Sequence, residues 1–121
     1  MFLISKQLIW LDPDNFRAIF NLAYQTPHPQ DNFRKVIKLC SNNINNIPPE
    51  KISGKEYFEN KYFLTLSIIT LLELSPNSLS HKDVPEYLQT LLLDLEQHPE
   101  SSGYQTDLKD MRRLAYTWLP K

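Results

Sequence analysis

Apolar residues recur at helical spacing through most of the chain. Ile4, Leu8 and Leu11 are spaced as one helix face, in a segment short enough to be extended instead. Asp12-Pro13 marks a boundary, with Asp12 suited to an N-cap and Pro13 to the first helical position. Phe16, Ile19, Phe20 and Ala23 then fall at i, i+3, i+4 and i+7, which predicts a helix to about Gln25. Pro27-His28-Pro29 ends it, because a residue before proline is pushed toward extended backbone. A third helix is predicted from near Asp31 to about Ser41. Phe33, Val36, Ile37 and Cys40 form its apolar stripe, and Arg34, Lys35 and Lys38 take the other side. The asparagine-rich run from Asn42 to Pro49 reads as a loop that extends to about Gly54.

Lys55 to Leu74 is predicted as the longest helix. Beyond Tyr62 it is apolar nearly all round, the pattern of a helix buried by several neighbours. Ser75-Pro76-Asn77-Ser78 stops it. Asp83 is expected to cap a fifth helix, with Pro85 in its first turn and Leu88, Leu91, Leu92 and Leu95 facing the core. His98-Pro99 to Gly103 reads as a linker, after which Thr106 is expected to cap a final helix with Leu108, Met111, Ala115 and Trp118 inward. No internal repeat is present. The pattern predicts an all-α fold, a single domain over residues 1–121, built as a bundle of five or six helices around helix 55–74.

Composition narrows this further. At 121 residues the chain suits one domain, large enough to bury roughly two thirds of its unfolded surface without a metal or disulfide. Two glycines are far below the usual ~7%, which argues against hairpin-rich β folds and glycine-rich phosphate loops. The longest apolar stretch, Tyr62 to Leu74, is 13 residues and interrupted by polar groups, short of the ~20 that span a bilayer. The start, Met1 to Lys6, lacks a basic region followed by a small-residue cleavage site, so a cytoplasmic protein is expected.

Net charge is −1, so the molecule as a whole is not an electrostatic nucleic-acid binder. Its charge is uneven along the chain. Residues 32–61 carry six basic groups against three acids, residues 62–100 one against six, and residues 101–121 four against two. Such a molecule suits a partner on each side, although ordinary solvated helix faces give the same counts.

Catalytic and metal chemistry find no carrier in the pattern. His28, His81 and His98 lie in separate connectors without ligand spacing and are expected at the surface, and no metal or cofactor is expected. Cys40, the single cysteine, falls on an apolar stripe and is expected to be buried rather than nucleophilic. Glu56 and Glu59 fall on the exposed start of a helix, and Asp107 and Asp110 do the same in the last one, where acids complement the helix dipole. An enzyme is therefore not expected. The basic faces are more informative: Lys109, Arg112, Arg113 and Tyr116 fall at i, i+3, i+4 and i+7, and Arg34 and Lys38 are one turn apart with Lys35 adjacent. Exposed cations of this kind contact phosphates, and nearby aromatics such as Tyr24 can stack on an unpaired base. Phe2, Trp10, Leu11, Tyr57 and Tyr87 exceed what the inner stripes need and are candidates for a protein interface.

In size, helix count and its two basic segments, Asn32-Phe33-Arg34-Lys35-Val36-Ile37-Lys38 and Lys109-Asp110-Met111-Arg112-Arg113, the chain resembles the small subunits of type I CRISPR (Cascade) effector complexes. Some of those subunits are translated from an internal start and match the C-terminal part of the large subunit. The resemblance implies a non-catalytic helical subunit of an antiviral ribonucleoprotein, without cofactor or membrane. Copies stack on one another and on other subunits, contacting crRNA, target DNA and the displaced strand by sequence-independent backbone contacts. No motif carries residues across; Arg34, Lys35, Lys38, Lys109, Arg112 and Arg113 are nucleic-acid-binding candidates on the charge pattern alone. Many such subunits are more basic, so the acidic stretch 83–100 would have to face a basic neighbour. The competing reading is a helical protein–protein adaptor, whose binding would be nearly insensitive to salt where phosphate contacts are steeply sensitive.

Overall fold

In the computed structural model, which describes residues 15–77 and 83–120, Asn15 opens the first described helix by accepting the Ala18 N–H at 3.0 Å on its side chain. This helix, α1 (Phe16–Asn21), gives way to a 3-10 turn over Ala23–Gln25 instead of running on to Gln25 as an α-helix. The expected capping pair Asp12-Pro13 and the spacing Ile4, Leu8, Leu11 lie outside the described residues.

The second helix, α2 (Pro29–Asn46), is longer than its sequence suggests at both ends. Pro29 occupies the first turn, where its missing N–H is not needed, and Asp31 complements the helix dipole there. At the other end the predicted loop Asn42–Asn46 is helical. Two contacts outweigh the weak helix preference of asparagine: Ile44 packs on the core, and the Asn43 amide donates to Asn60 Oδ1 at 2.9 Å. The stop comes instead at Ile47, held extended (φ −78°, ψ 125°) ahead of Pro48.

After a 3-10 turn at Pro49–Lys51, α3 (Lys55–Leu74) runs as predicted and packs against every other helix. Phe58, Leu64, Ile68, Ile69 and Leu72 are buried around its circumference, which is why no single polar face is visible in its sequence. α4 (Val84–Gln97) buries the predicted leucines. Asp83 does stand at its N-cap position, but its side chain makes no capping hydrogen bond. α5 (Gln105–Ala115) buries Leu108, Met111 and Ala115, while Trp118 lies half-buried in a closing 3-10 turn and packs on the core.

Two expectations for the α4–α5 connection do not hold. Residues Pro99–Tyr104 form a 3-10 helix rather than a linker, and α5 continues from it, so Thr106 lies inside the helix and caps nothing. The organiser is His98, expected at the surface but only 8% exposed. Its Nδ1 accepts the Glu100 N–H at 3.0 Å, and its Nε2 donates to the Ile52 carbonyl at 2.8 Å. One imidazole thereby caps the turn and ties it to the segment preceding α3, 46 residues earlier. The architecture is all-α, five α-helices with no strand among the described residues. No helix there is long and apolar enough to cross a membrane.

Candidate nucleic-acid interface

The six cations of the charge pattern are not equivalent in the folded chain. On α5, Arg112 turns toward α4, where Nε and Nη2 grip the two Glu96 carboxylate oxygens at 2.8 and 2.7 Å and Nη1 reaches Gln89 Oε1 at 3.0 Å. The Glu96 hydrogen bonds hold this guanidinium more firmly charged, against a smaller opposing effect of burial. A bidentate pair of this kind fixes the two helices to each other and leaves little free charge for a phosphate. Arg113 pairs with Asp110 one turn earlier. Lys109 is exposed and makes no ion pair among the described residues, so it is the one uncompensated cation of that segment.

On α2 the balance differs. Arg34 makes an exposed pair with Asp31 at 3.1 Å, a geometry that contributes little and exchanges readily with solvent. Lys35 and Lys38 are exposed and make no ion pair among the described residues. The helical continuation of α2 then extends their face: Lys35, Lys38, Asn42 and Asn45 follow one another at i, i+3, i+7 and i+10, and all four are exposed. An 18-residue helix is about 27 Å long, so this is an extended polar ridge with a net positive charge rather than a point cluster. Asp31 is its only acid. Asn42 and Asn45 were concealed by the loop reading; the spacing of Val36, Cys40 and Ile44 at i, i+4, i+8 is the signal that carries the helix past Ser41.

The two basic segments are not packed together. α2 and α5 each lie against α3 and make no extensive contact with one another. Tyr24 stands near the start of the α2 ridge, largely exposed, with its ring edge-on to Phe33 at 5.5 Å.

Other candidate chemistry is absorbed by the fold. Cys40 is buried, and burial pushes its thiol up to about 12 against a weaker opposing pull from Arg17. Such a group stays protonated and enclosed. Glu59 is not on an exposed face as expected: its side chain is 16% exposed and pairs with Arg17 of α1 and with Lys55 at 3.6 Å. Tyr57, expected to be an exposed interface aromatic, is half-buried and stacked on His98 at 5.8 Å, with its hydroxyl between Lys61 Nζ (2.7 Å) and Asp94 Oδ2 (3.2 Å). Tyr87 is exposed, while Phe2, Trp10 and Leu11 lie outside the described residues. His28 is exposed and His81 is also outside them. No group of three or more His, Cys, Asp or Glu side chains is placed to hold a metal ion among the described residues.

No family model matches the chain, and no curated protein or solved structure is found to be similar to it.

Proposed function

We propose that the protein is a non-catalytic helical subunit of a nucleoprotein assembly, meeting the nucleic-acid backbone with the outer ridge of α2. The small subunits of CRISPR effector complexes are the model for such a role. The observation that supports it is the pair of uncompensated lysines, Lys35 and Lys38, continued along the helix by Asn42 and Asn45 with no carboxylate beyond Asp31. Lysine ammoniums answer phosphate oxygens as point charges, and asparagine amides donate to phosphate or sugar oxygens. A convex helix face of this kind tracks a backbone without reading its sequence. Within that reading Lys109 and Arg113 are auxiliary contacts, Arg112 is a structural clamp, and the exposed acids Asp83, Glu86 and Glu100 in and beside α4 face a basic neighbouring subunit.

The test is the salt dependence of binding to a labelled oligonucleotide duplex and to a single strand. Lys35→Gln with Lys38→Gln keeps helix preference nearly constant and removes both charges. It should weaken binding and reduce the magnitude of the slope of log K against log salt by about 1.8 on the duplex and about 1.4 on the single strand. An unchanged slope removes α2 from the contact.

A second reading, a protein–protein adaptor, is favoured by one feature. Tyr116 is 79% exposed and, with Gln89, Arg112, Leu119 and Pro120, lines an open groove of about 820 Å³. Affinity for a protein partner that is insensitive to salt and lost in Tyr116→Ala would select it.

A further inference from the structure

Tyr24 and Tyr116 are the two most exposed large apolar or aromatic side chains among the described residues, at 62% and 79%. They differ in what surrounds them. The cations one turn before Tyr116, Arg112 and Arg113, are taken by Glu96 and Asp110, and no ring packs on Tyr116 among the described residues. Tyr24 is held on both sides. Before it, Ala23 is fully buried and packs with Phe33 and Leu71. After it, the Thr26 hydroxyl donates to the Ala23 carbonyl at 2.9 Å and accepts from the Asn32 amide at 2.5 Å, which ties the 3-10 turn to α2. The Tyr24 ring itself meets Phe33 at 5.5 Å and 68°. An edge-to-face contact covers one face of one ring at most, so Tyr24 keeps at least one face open to solvent.

We infer that Tyr24 is a stacking platform for one unpaired base, so that the α2 ridge takes a single-stranded nucleic acid rather than a duplex. The inference rests on the backbone-contact reading of Lys35 and Lys38 and adds the substrate class to it. Asn32, which bonds the turn that carries Tyr24, lies three residues before Lys35 and so on the same side of α2. Lys35 and Lys38 follow Phe33 by two and five residues, about 3 and 7.5 Å along the helix axis. A strand whose phosphates meet these ammoniums passes Tyr24 with its bases within reach of the ring.

A base inside a duplex has both faces covered by its neighbours, whereas a base in a single strand can turn a face to an aromatic ring. Every base has such a face, so the contact adds affinity without sequence preference. The turn is fixed in advance by Ala23 and Asn32, so binding has little to order beyond the strand itself. An exposed tyrosine also suits a protein hot spot. Here Lys35 and Lys38 stand on the same helix without a carboxylate partner among the described residues, and that charge favours an anionic strand.

The experiment is fluorescence-anisotropy binding of the full chain to a labelled short oligothymidylate, to an abasic strand of the same length and to a duplex of that length, over a range of salt. The abasic strand keeps every phosphate and removes every base. The oligothymidylate should bind about tenfold more tightly than the abasic strand, and more tightly than the duplex. Tyr24→Ala should remove that advantage, leave the abasic strand and the duplex unchanged, and leave the salt slope as it was. Tyr24→Phe should bind like the native chain. Because alanine could loosen the packing on Phe33, Tyr24→Leu serves as the second variant; it keeps an apolar side chain there, offers no ring and should show the same loss. Equal affinity for the oligothymidylate and either comparison strand, or no loss in both Tyr24 variants, would overturn the stacking role. A slope still reduced by Lys35→Gln with Lys38→Gln would then leave the backbone contact standing without it. A slope indifferent to that lysine pair would remove the backbone reading, and this inference with it.

Discussion

The helical state of the asparagine run rests on Ile44 and on one buried amide pair, and Asn43→Ala tests the amide pair. Asn60 is 2% exposed at the α2–α3 contact. Its Nδ2 donates to the Glu56 carbonyl at 2.9 Å, and its Oδ1 accepts from Asn43 Nδ2 at 2.9 Å. Truncating Asn43 leaves a buried carbonyl without that donor, which costs about 1–3 kcal/mol. Alanine returns about 0.6 kcal/mol of helix preference. The net expectation is a loss of about 1–2 kcal/mol, seen as a Tm lower by roughly 4–8 °C. Urea unfolding followed by far-ultraviolet circular dichroism measures it, with a second background supplying the control. In Asn60→Leu the buried acceptor is gone, so Asn43→Ala should there be neutral or slightly stabilising, giving a coupling of about 1 kcal/mol or more. Equal effects in the two backgrounds would refute the argument and leave Ile44 as the sole reason that the helix continues.

Two further predictions concern α3 and its partners. Thr65 and Thr70 hydrogen-bond back to the carbonyls of Lys61 and Leu66, but Ser67 Oγ is buried without a partner among the described residues. Ser67→Ala should therefore raise stability by about 1–2 kcal/mol in urea, from relieved desolvation and better helix preference; a loss would show that the hydroxyl is satisfied. Asp94 and Lys61 predict a pH dependence. Burial pushes the Asp94 carboxyl up, but the Lys61 and Tyr57 hydrogen bonds outweigh it and hold the group below its ordinary 3.8. Burial likewise opposes the Lys61 charge, and the bonds to Asp94 and Tyr57 again prevail, raising it above 10.5. The depressed acid contributes fully above its unfolded value and loses that contribution as pH falls through the folded one. The raised base contributes fully below its unfolded value and loses that contribution as pH rises through the folded one. Stability measured against pH should thus fall at both ends, and Asp94→Asn should flatten both limbs. Unaltered limbs would mean that the pair is not formed in solution.

Apolar spacing alone determined most of the architecture. The stripes Leu88, Leu91, Leu92, Leu95 and Leu108, Met111, Ala115 are buried as their periodicity requires, Cys40 sits inside, and 55–74 is the central helix. This was legible because a helix must bury its apolar stripe, and the stripe is written in residues three and four apart. The ion pairs Arg34–Asp31 and Arg113–Asp110 are local in the same way. Tertiary structure decided everything whose partner is distant in sequence. Asn43 finds Asn60 17 residues on, Arg112 finds Glu96 16 residues back, Arg17 finds Glu59 42 residues on, and His98 finds the Ile52 carbonyl 46 residues back. Those contacts turned a loop into helix, a surface histidine into a buried cap, and a candidate phosphate ligand into a clamp between helices. A charge pattern records how many cations a face carries. Only the packing of another helix decides which of them a carboxylate neutralises, and so leaves Lys35 and Lys38 to solvent while Arg112 is taken by the fold.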